Sequence, residues 1–255
     1  MIPIKTKEEI EKMKEGGKIL AKILEEIKKE VKSGITTLEL DKRAEELIKQ
    51  SGGKPSFKMV KGYKWITCMC VNEVVVHGVP GNYKLKEGDV LGIDIGLFYK
   101  GFHTDMAWTL RVQTQNDEVD RFLEAGKRAL EEAIKMAKVG NYVGHVSQAI
   151  QETIEKAGFS PVRALVGHGV GRNLHEEPQI PCFLRGKIED TPKLKEGMTL
   201  AIEIIYNQGK PEVVYGSDDG WTIKTADGKL SGLFEHTVAV LEGGPEILTL
   251  SLPKG

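Results

Sequence analysis

Apolar residues recur at alternating steps of three and four along the first thirty positions: Ile10, Met13, Gly17, Leu20, Leu24, Ile27 and Val31. That spacing draws one stripe on a helix of about seven turns. Thr6 and Glu9 have capping-box spacing, so the helix is expected to begin near residue 7. The stripe spans about three heptads, too short for a coiled coil, and predicts a helix packed on a sheet with its Lys and Glu residues in water. A second helix is predicted over 37–50, stopped by Gly52-Gly53. Strand-like sequence follows, WITCMCVNEVVVHGV and then VLGIDIGLFYKGFHTDMAWTLRV, with the YKG of residues 99–101 as a hairpin break. Two more helices are expected at about 116–138 and 143–157, then mostly strand. A second hairpin break is expected at Asp227-Gly228, between GWTIKT and LSGLFEHTVAV.

A faint internal repeat at an offset of 106 aligns Gly34, Leu40, Ala44, Glu46, Ile48 and Gly52 with Gly140, Val146, Ile150, Glu152, Ile154 and Gly158. In both places two helices precede a sheet region with acidic residues inside strands. The expected architecture is α+β: one domain over 1–255, built of two similar halves, about 1–115 and 116–255, around a shared core.

Composition narrows the function. Lys plus Arg is 36 and Asp plus Glu 37, so the formal charge of −1 makes no electrostatic case for DNA or an anionic membrane. Apolar residues are 40% and charged residues 29% of the 255, as in an ordinary globular protein. Three cysteines (Cys68, Cys70, Cys182) are too few and too odd in number for a disulfide framework, which points to a reducing compartment, the cytoplasm. Asp89 and Asp94 interrupt the best apolar run, so no membrane span is expected. The start is acidic by residue 8 and has no apolar stretch, so no secretory signal is expected.

Four carboxylates stand where strands seldom carry them. In VLGIDIGLF, Leu91, Ile93, Ile95 and Leu97 face one way, and Gly92, Asp94 and Gly96 the other. The two glycines are expected to leave room beside Asp94. Asp105 lies on the returning strand with His103 and Ala107 on its face. Glu203 in MTLAIEIIY shares a face with Thr199 and Ala201, opposite Leu200, Ile202 and Ile204; Glu235 shares one with Leu233 and Thr237. A buried ionised carboxylate costs several kcal/mol unless paired or bound to metal. The neighbours here are Gly, Ala and Thr, not basic residues. In GHGVGRNLHEEP, His168 is bracketed by Gly167, Gly169 and Gly171, an arrangement that suits close approach of backbone or ligand. His175 and His77 are further candidates. Asp94, Asp105, His168, Glu203 and Glu235 form an oxygen-rich set with one imidazole, which suits two hard or borderline divalent cations sharing bridging carboxylates. No GxSxG, Walker A or HExxH pattern is present. Cys68 and Cys70 read as two packing cysteines on opposite faces of a strand.

The segments CMCVNEVVVHGVP, GDVLGIDIGLFYKGFHTDMAWT, GHGVGRNLHEEPQIP, GMTLAIE, DGWTIKT and FEHTVAV resemble the type I methionine aminopeptidases, metallopeptidases of the pita-bread fold, over essentially the whole chain. The resemblance implies that Asp94 binds one metal, His168 and Glu203 the other, and that Asp105 and Glu235 bridge both. Two divalent ions per chain are implied, and Co²⁺, Mn²⁺, Fe²⁺ and Zn²⁺ all tolerate such ligands. It implies a bridging hydroxide as nucleophile, Glu203 as general acid/base, and His77 and His175 beside the scissile bond. Tyr63, Cys68, Leu174 and Trp221 match the methionine side-chain pocket. The implied reaction releases the N-terminal methionine of nascent polypeptides with a small second residue, by a monomer that meets the ribosome transiently. Ile204 stands where relatives often carry Pro, and Phe57, Met59 and Val60 depart from the small and aromatic residues expected near Tyr63. The absence of a Cys-rich extension before the first helix points to the bacterial form. The short span from His175 to Glu203 argues against type II, and the early first ligand argues against prolidases. Two alternatives stand beside this reading: an aminopeptidase of the same fold acting on X-Pro peptides, and a non-catalytic peptide-binding module, which would not need all five ligands.

Overall fold

The computed structural model describes residues 2–216 and 218–250. Helix α1 (Lys7–Glu30) opens with a reciprocal cap: the Glu9 N–H donates to the Thr6 hydroxyl at 3.3 Å and the Thr6 N–H to the Glu9 carboxylate at 2.9 Å. Thr36 and Glu39 repeat the device at α2 (Thr37–Gln50). The Asn116 side chain caps α3 (Asp117–Met136), and α4 is Val143–Lys156. All four helices fall within two residues of their expected ends.

The first half carries β1 (Lys54–Pro55), β2 (Thr67–Val71), β3 (Val74–Val76), β4 (Val90–Tyr99) and β5 (Phe102–Arg111). The second carries β6 (Ser160–Pro161), β7 (Val166–Gly169), β8 (Glu176–Pro181), β9 (Thr199–Asn207), β10 (Val213–Tyr215), β11 (Ile223–Thr225), β12 (Ser231–Ala239) and β13 (Glu246–Ile247). The main antiparallel sheet runs β1-β4-β5-β12-β9-β7-β8; β2 adds to β4, β6 to β9 and β13 to β12. A small sheet, β10-β11-β3, is separate from it.

Period two sorts the main sheet into a helix face and a cavity face. Leu91, Ile93, Ile95 and Leu97 of β4 pack with Leu20, Leu24 and Ile27 of α1 and Leu40, Ala44 and Ile48 of α2. Leu200, Ile202 and Ile204 of β9 pack with Phe122 and Leu130 of α3 and Val146, Ile150 and Ile154 of α4. Each such aliphatic side chain, fully buried, contributes about 1.5–3 kcal/mol. The acidic residues point the other way.

The repeat reaches backbone detail. Gly34 and Gly140 both have φ 90°, and each donates its N–H to the carbonyl of a leucine, Leu85 at 2.8 Å and Leu194 at 3.0 Å. Thr36 bridges Lys84 as Tyr142 bridges Lys193.

The YKG hairpin forms, with Lys100 and Gly101 at φ 48° and 90°. The second expected hairpin does not. A turn occurs at Asp227-Gly228, but β11 pairs with β10 and β3, while β12 pairs with β5, β9 and β13. The Asp227 carboxylate accepts the Lys210 N–H at 2.8 Å and the Lys229 N–H at 3.1 Å, so the turn carries the chain from one sheet to the other. Among the described residues no helix is long and apolar enough to cross a membrane.

Candidate metal centre

Strand register sets the five candidate ligands in two adjacent rows across the main sheet. One row runs Cys68–Asp94–Ala107–Glu235–Glu203, through β2, β4, β5, β12 and β9. The next runs Gly96–Asp105 on β4 and β5, then Thr237–Ala201–His168 on β12, β9 and β7. The Thr237 hydroxyl stitches the second row together: it accepts the Asp105 N–H at 2.8 Å and donates to the Asp105 carbonyl at 2.8 Å. Paired residues share a face, so all five side chains enter one cavity of about 190 Å³. Asp105, His168 and Glu235 each bring a ligand atom within 4.8 Å of the other two, and His168 Nε2 stands 3.5 Å from Glu203 Oε1.

The carboxylates are crowded. Asp105 is 4% and Glu235 2% exposed. Asp94 Oδ1, Asp105 Oδ1 and Glu235 Oε1 are buried with no hydrogen-bond partner. Among the described residues none of the four acids pairs with Lys or Arg. Burial pushes the Asp94 carboxyl up to about 7. Burial and neighbouring carboxylates push Asp105, Glu203 and Glu235 well above the usual range. Burial holds His168 down at about 4, leaving its imidazole neutral and able to donate a lone pair, and its Nδ1 lies 2.8 Å from the Gly169 carbonyl. Buried carboxylate oxygens of this kind destabilise a fold unless something cationic meets them. The donor set therefore fits divalent metal.

The remaining candidates form the cavity wall. His77 follows β3 with φ 56°, the left-handed region that few non-glycine residues occupy. The His175 ring packs edge-on to His168 at 4.5 Å. Burial lowers the pKa of His77 and of His175. Tyr63 packs against Trp221 at 5.1 Å, and its hydroxyl donates to the Thr67 carbonyl at 2.8 Å with Cys68 Sγ 3.3 Å away. Asp219 fixes Trp221 by accepting its N–H at 2.8 Å. Leu174, Phe57 and Val60 complete the apolar side, with Val76, which carries no signal in the sequence beyond its place before His77. Met59 points outward at 54% exposure. Ile204 faces α3 and α4, away from the cavity.

Three expectations need correction. The space that Gly92 and Gly96 leave beside Asp94 is filled by the protein itself: a Cβ on Gly96 would stand 2.7 Å from Ser56 Cβ, and one on Gly92 3.3 Å from Cys70 Cβ. The small neighbour that opens the row is Ala107. Gly167 and Gly169 serve strand packing, not a ligand, because their Cβ atoms would overlap the Ala201 and Glu177 carbonyls. Cys68 and Cys70 share one face, being two residues apart on a strand, and pair with Asp94 and Gly92. Two buried pairs were invisible in the sequence: His103 Nδ1 with Ser56 Oγ at 2.8 Å behind Asp105, and Lys5 with Glu176. Their partners lie 47 and 171 positions apart, so no local pattern joins them.

The model of metallopeptidase family M24 matches residues 11–242. A methionine aminopeptidase of Clostridium perfringens is 46% identical over 250 residues, covering 98% of this chain and 99% of the relative. Methionine aminopeptidase 1 of Bacillus subtilis is 46% identical over 249 residues, with the same coverage. A crystal structure of methionine aminopeptidase from Thermotoga maritima superposes with a TM-score of 0.94 at 45% identity, covering 98% of this chain and 99% of the other. A prolidase from Pyrococcus furiosus reaches a TM-score of 0.79 at 26% identity, covering 98% of this chain but 66% of the prolidase. With full-length identity of this order and the M24 match across the cavity, the chain belongs to metallopeptidase family M24, among the methionine aminopeptidases.

Proposed function

We propose that this chain releases the N-terminal methionine of polypeptides, using two divalent cations held by Asp94, Asp105, His168, Glu203 and Glu235. The observation that carries this reading is the set of three partnerless buried carboxylate oxygens converging in one cavity. Bound cations would polarise the substrate carbonyl and bring the pKa of water from 15.7 to about 7. Asp105 and Glu235 sit between the other ligands across the sheet, the positions of bridging groups. Asp94 neighbours Cys68 in the same row. A methionine side chain against Cys68, Tyr63, Leu174 and Trp221 therefore places its free α-amine beside Asp94. Thioether and ring edges suit each other in such a wall.

Glu203 borders the open part of the cavity and is the group to take a proton from water and return it to the leaving amine; such help contributes about 10²–10⁴-fold. His175, packed on His168, donates to the developing oxyanion. His77, across the cavity beside Trp221, faces the scissile amide nitrogen. A small second residue is preferred, as the likeness to methionine aminopeptidases suggests. The three free, buried thiols support a reducing, cytoplasmic setting.

The test is methionine release from a Met-Gly-Met tripeptide after chelation and after Mn²⁺ is returned. Release is expected only with Mn²⁺, and Met-Ala is expected to be cleaved in preference to Ala-Pro. Chelator-resistant release would refute the metal assignment; preference for Ala-Pro would refute the substrate. Comparing Met-Gly-Met with Met-Leu-Met reads the second-residue preference directly.

A further inference from the structure

Lys5 is the one lysine or arginine among the described residues that is buried, at 4% exposure, and the chemistry proposed above gives it no role. Its ammonium pairs with the Glu176 carboxylate, also buried. The other Glu176 oxygen accepts the Asn173 N–H at 3.0 Å. The segment before α1 is itself anchored in the second half of the molecule, where the Lys5 N–H donates to the Gly197 carbonyl at 2.8 Å. Four residues on, Glu9 pairs with Arg172, at the other end of the same loop. A Cβ on Gly171 would overlap the end of the Lys5 side chain, so the lysine passes directly over this glycine. From the opposite side, the His103 N–H donates to the Gly171 carbonyl at 2.7 Å. The loop 171–176 thus hangs between an N-terminal strap and the β5 strand. It carries Leu174 and His175, two side chains of the cavity wall.

We propose that Lys5 is a positioning residue: through Glu176 it sets the loop that presents His175 and Leu174 to the substrate. The inference rests on the substrate-side roles given above to those two residues. A buried lysine–carboxylate pair is seldom the most stabilising way to fill a core, since a hydrophobic replacement of similar volume is often as stable. Its geometry, with one oxygen on the ammonium and the other on a loop amide, fixes a register that an apolar contact would leave loose. Misplacement of a substrate-side group by about 1 Å costs on the order of 10²-fold in rate.

Removing Lys5 alone strands a buried carboxylate, so Lys5→Met is paired with Lys5→Met/Glu176→Gln, which buries no charge. Two readouts are taken on the Mn²⁺-loaded protein: amide hydrogen exchange, and kcat and KM for Met-Gly-Met. In the double variant, exchange at residues 171–176 is expected to quicken by about tenfold or more while the helices keep their protection. KM is expected to rise about fivefold with a fall in kcat, at unchanged metal per chain, and Lys5→Arg restores part of both. A smaller folded fraction lowers kcat and leaves KM alone, so the KM rise separates positioning from stability. Unchanged exchange in the loop, or exchange quickened everywhere alike, overturns the proposal. The two readings can fail separately. Loop exchange that quickens in a protein without methionine release keeps the strap and removes the substrate assignment; release with an unmoved loop does the reverse.

Discussion

Glu235 takes its pKa shift from burial first and then from Asp105, Glu203 and Asp94, so it stands in the middle of the acid cluster. On the function proposed above, a ligand in that place would serve both cations. Glu235→Ala is expected to lower metal content from about two per chain to below one, read by elemental analysis after dialysis. Normal stoichiometry would remove its bridging role. His77 is a different case, because it lines the cavity without belonging to either ligand row. His77→Ala should keep both cations and lose about 10²–10³-fold in kcat; loss of metal instead would make it a ligand. At this scale the acids were legible because period two places them opposite apolar residues. The surroundings were not: Ser56, Phe57 and Cys70 fill the places beside Asp94, and which side chain crosses from another segment is a property of the assembled sheet.

Strands set the distances between these groups, and β7 meets β9 closely. A Cβ on Gly167 would stand 2.6 Å from the Ala201 carbonyl and 3.1 Å from the Glu203 N–H. Gly167→Ala must therefore push β7 outward and carry His168 away from Glu203. Melting should show a loss of about 1–3 kcal/mol, and titration with Mn²⁺ a fall in affinity of about 10–100-fold. Unchanged Mn²⁺ affinity would mean that the two ligands do not depend on this joint. Helices and their caps were readable because each signal lies within four residues of the structure it makes, as with Thr6 and Glu9 or Thr36 and Glu39. The turn at Asp227-Gly228 was readable for the same reason, but its partners were not. Whether a turn joins two paired strands or passes a chain between sheets depends on β3, some 150 positions earlier.

Over the whole chain, one unit is used twice with one chemical consequence. The pentapeptide Lys-Leu-Lys-Glu-Gly stands at 84–88 and again at 193–197, leading into β4 and β9. Asp94 follows the first copy at the same remove as Glu203 follows the second, so each half brings an acid to the same cavity. An offset of 106 aligns the helices but misses this match, which lies at 109, three residues further on. The joint result is a charge problem that a pH experiment can read. Folding stability changes with pH according to the protons bound in the unfolded chain minus those bound in the folded one. The four raised carboxylates hold protons in the metal-free fold that the unfolded chain has lost above about pH 4, so they reduce stability as pH rises from there towards their folded values, which burial raises to about 7 for Asp94 and which burial and neighbouring carboxylates hold well above the usual carboxylate range for Asp105, Glu203 and Glu235. Buried His103, His168 and His236, and the cavity-wall His77 and His175, have lowered values and act in the opposite sense as pH falls below about 6.5. Above pH 7 the histidines are neutral in both states and only the carboxylates remain. Above about pH 8 the buried thiols of Cys68, Cys70 and Cys182, also raised, add a slope of the same sign. Between pH 7 and 8 the chelated protein should therefore lose Tm with rising pH, by up to about 1.4 kcal/mol per pH unit for each carboxyl still protonated. Saturating Mn²⁺ displaces those protons and should flatten the curve over the same interval. A chelated Tm as flat as the Mn²⁺-bound one would mean that the acids do not crowd one another, and a centre built to cancel their charge would lose its reason.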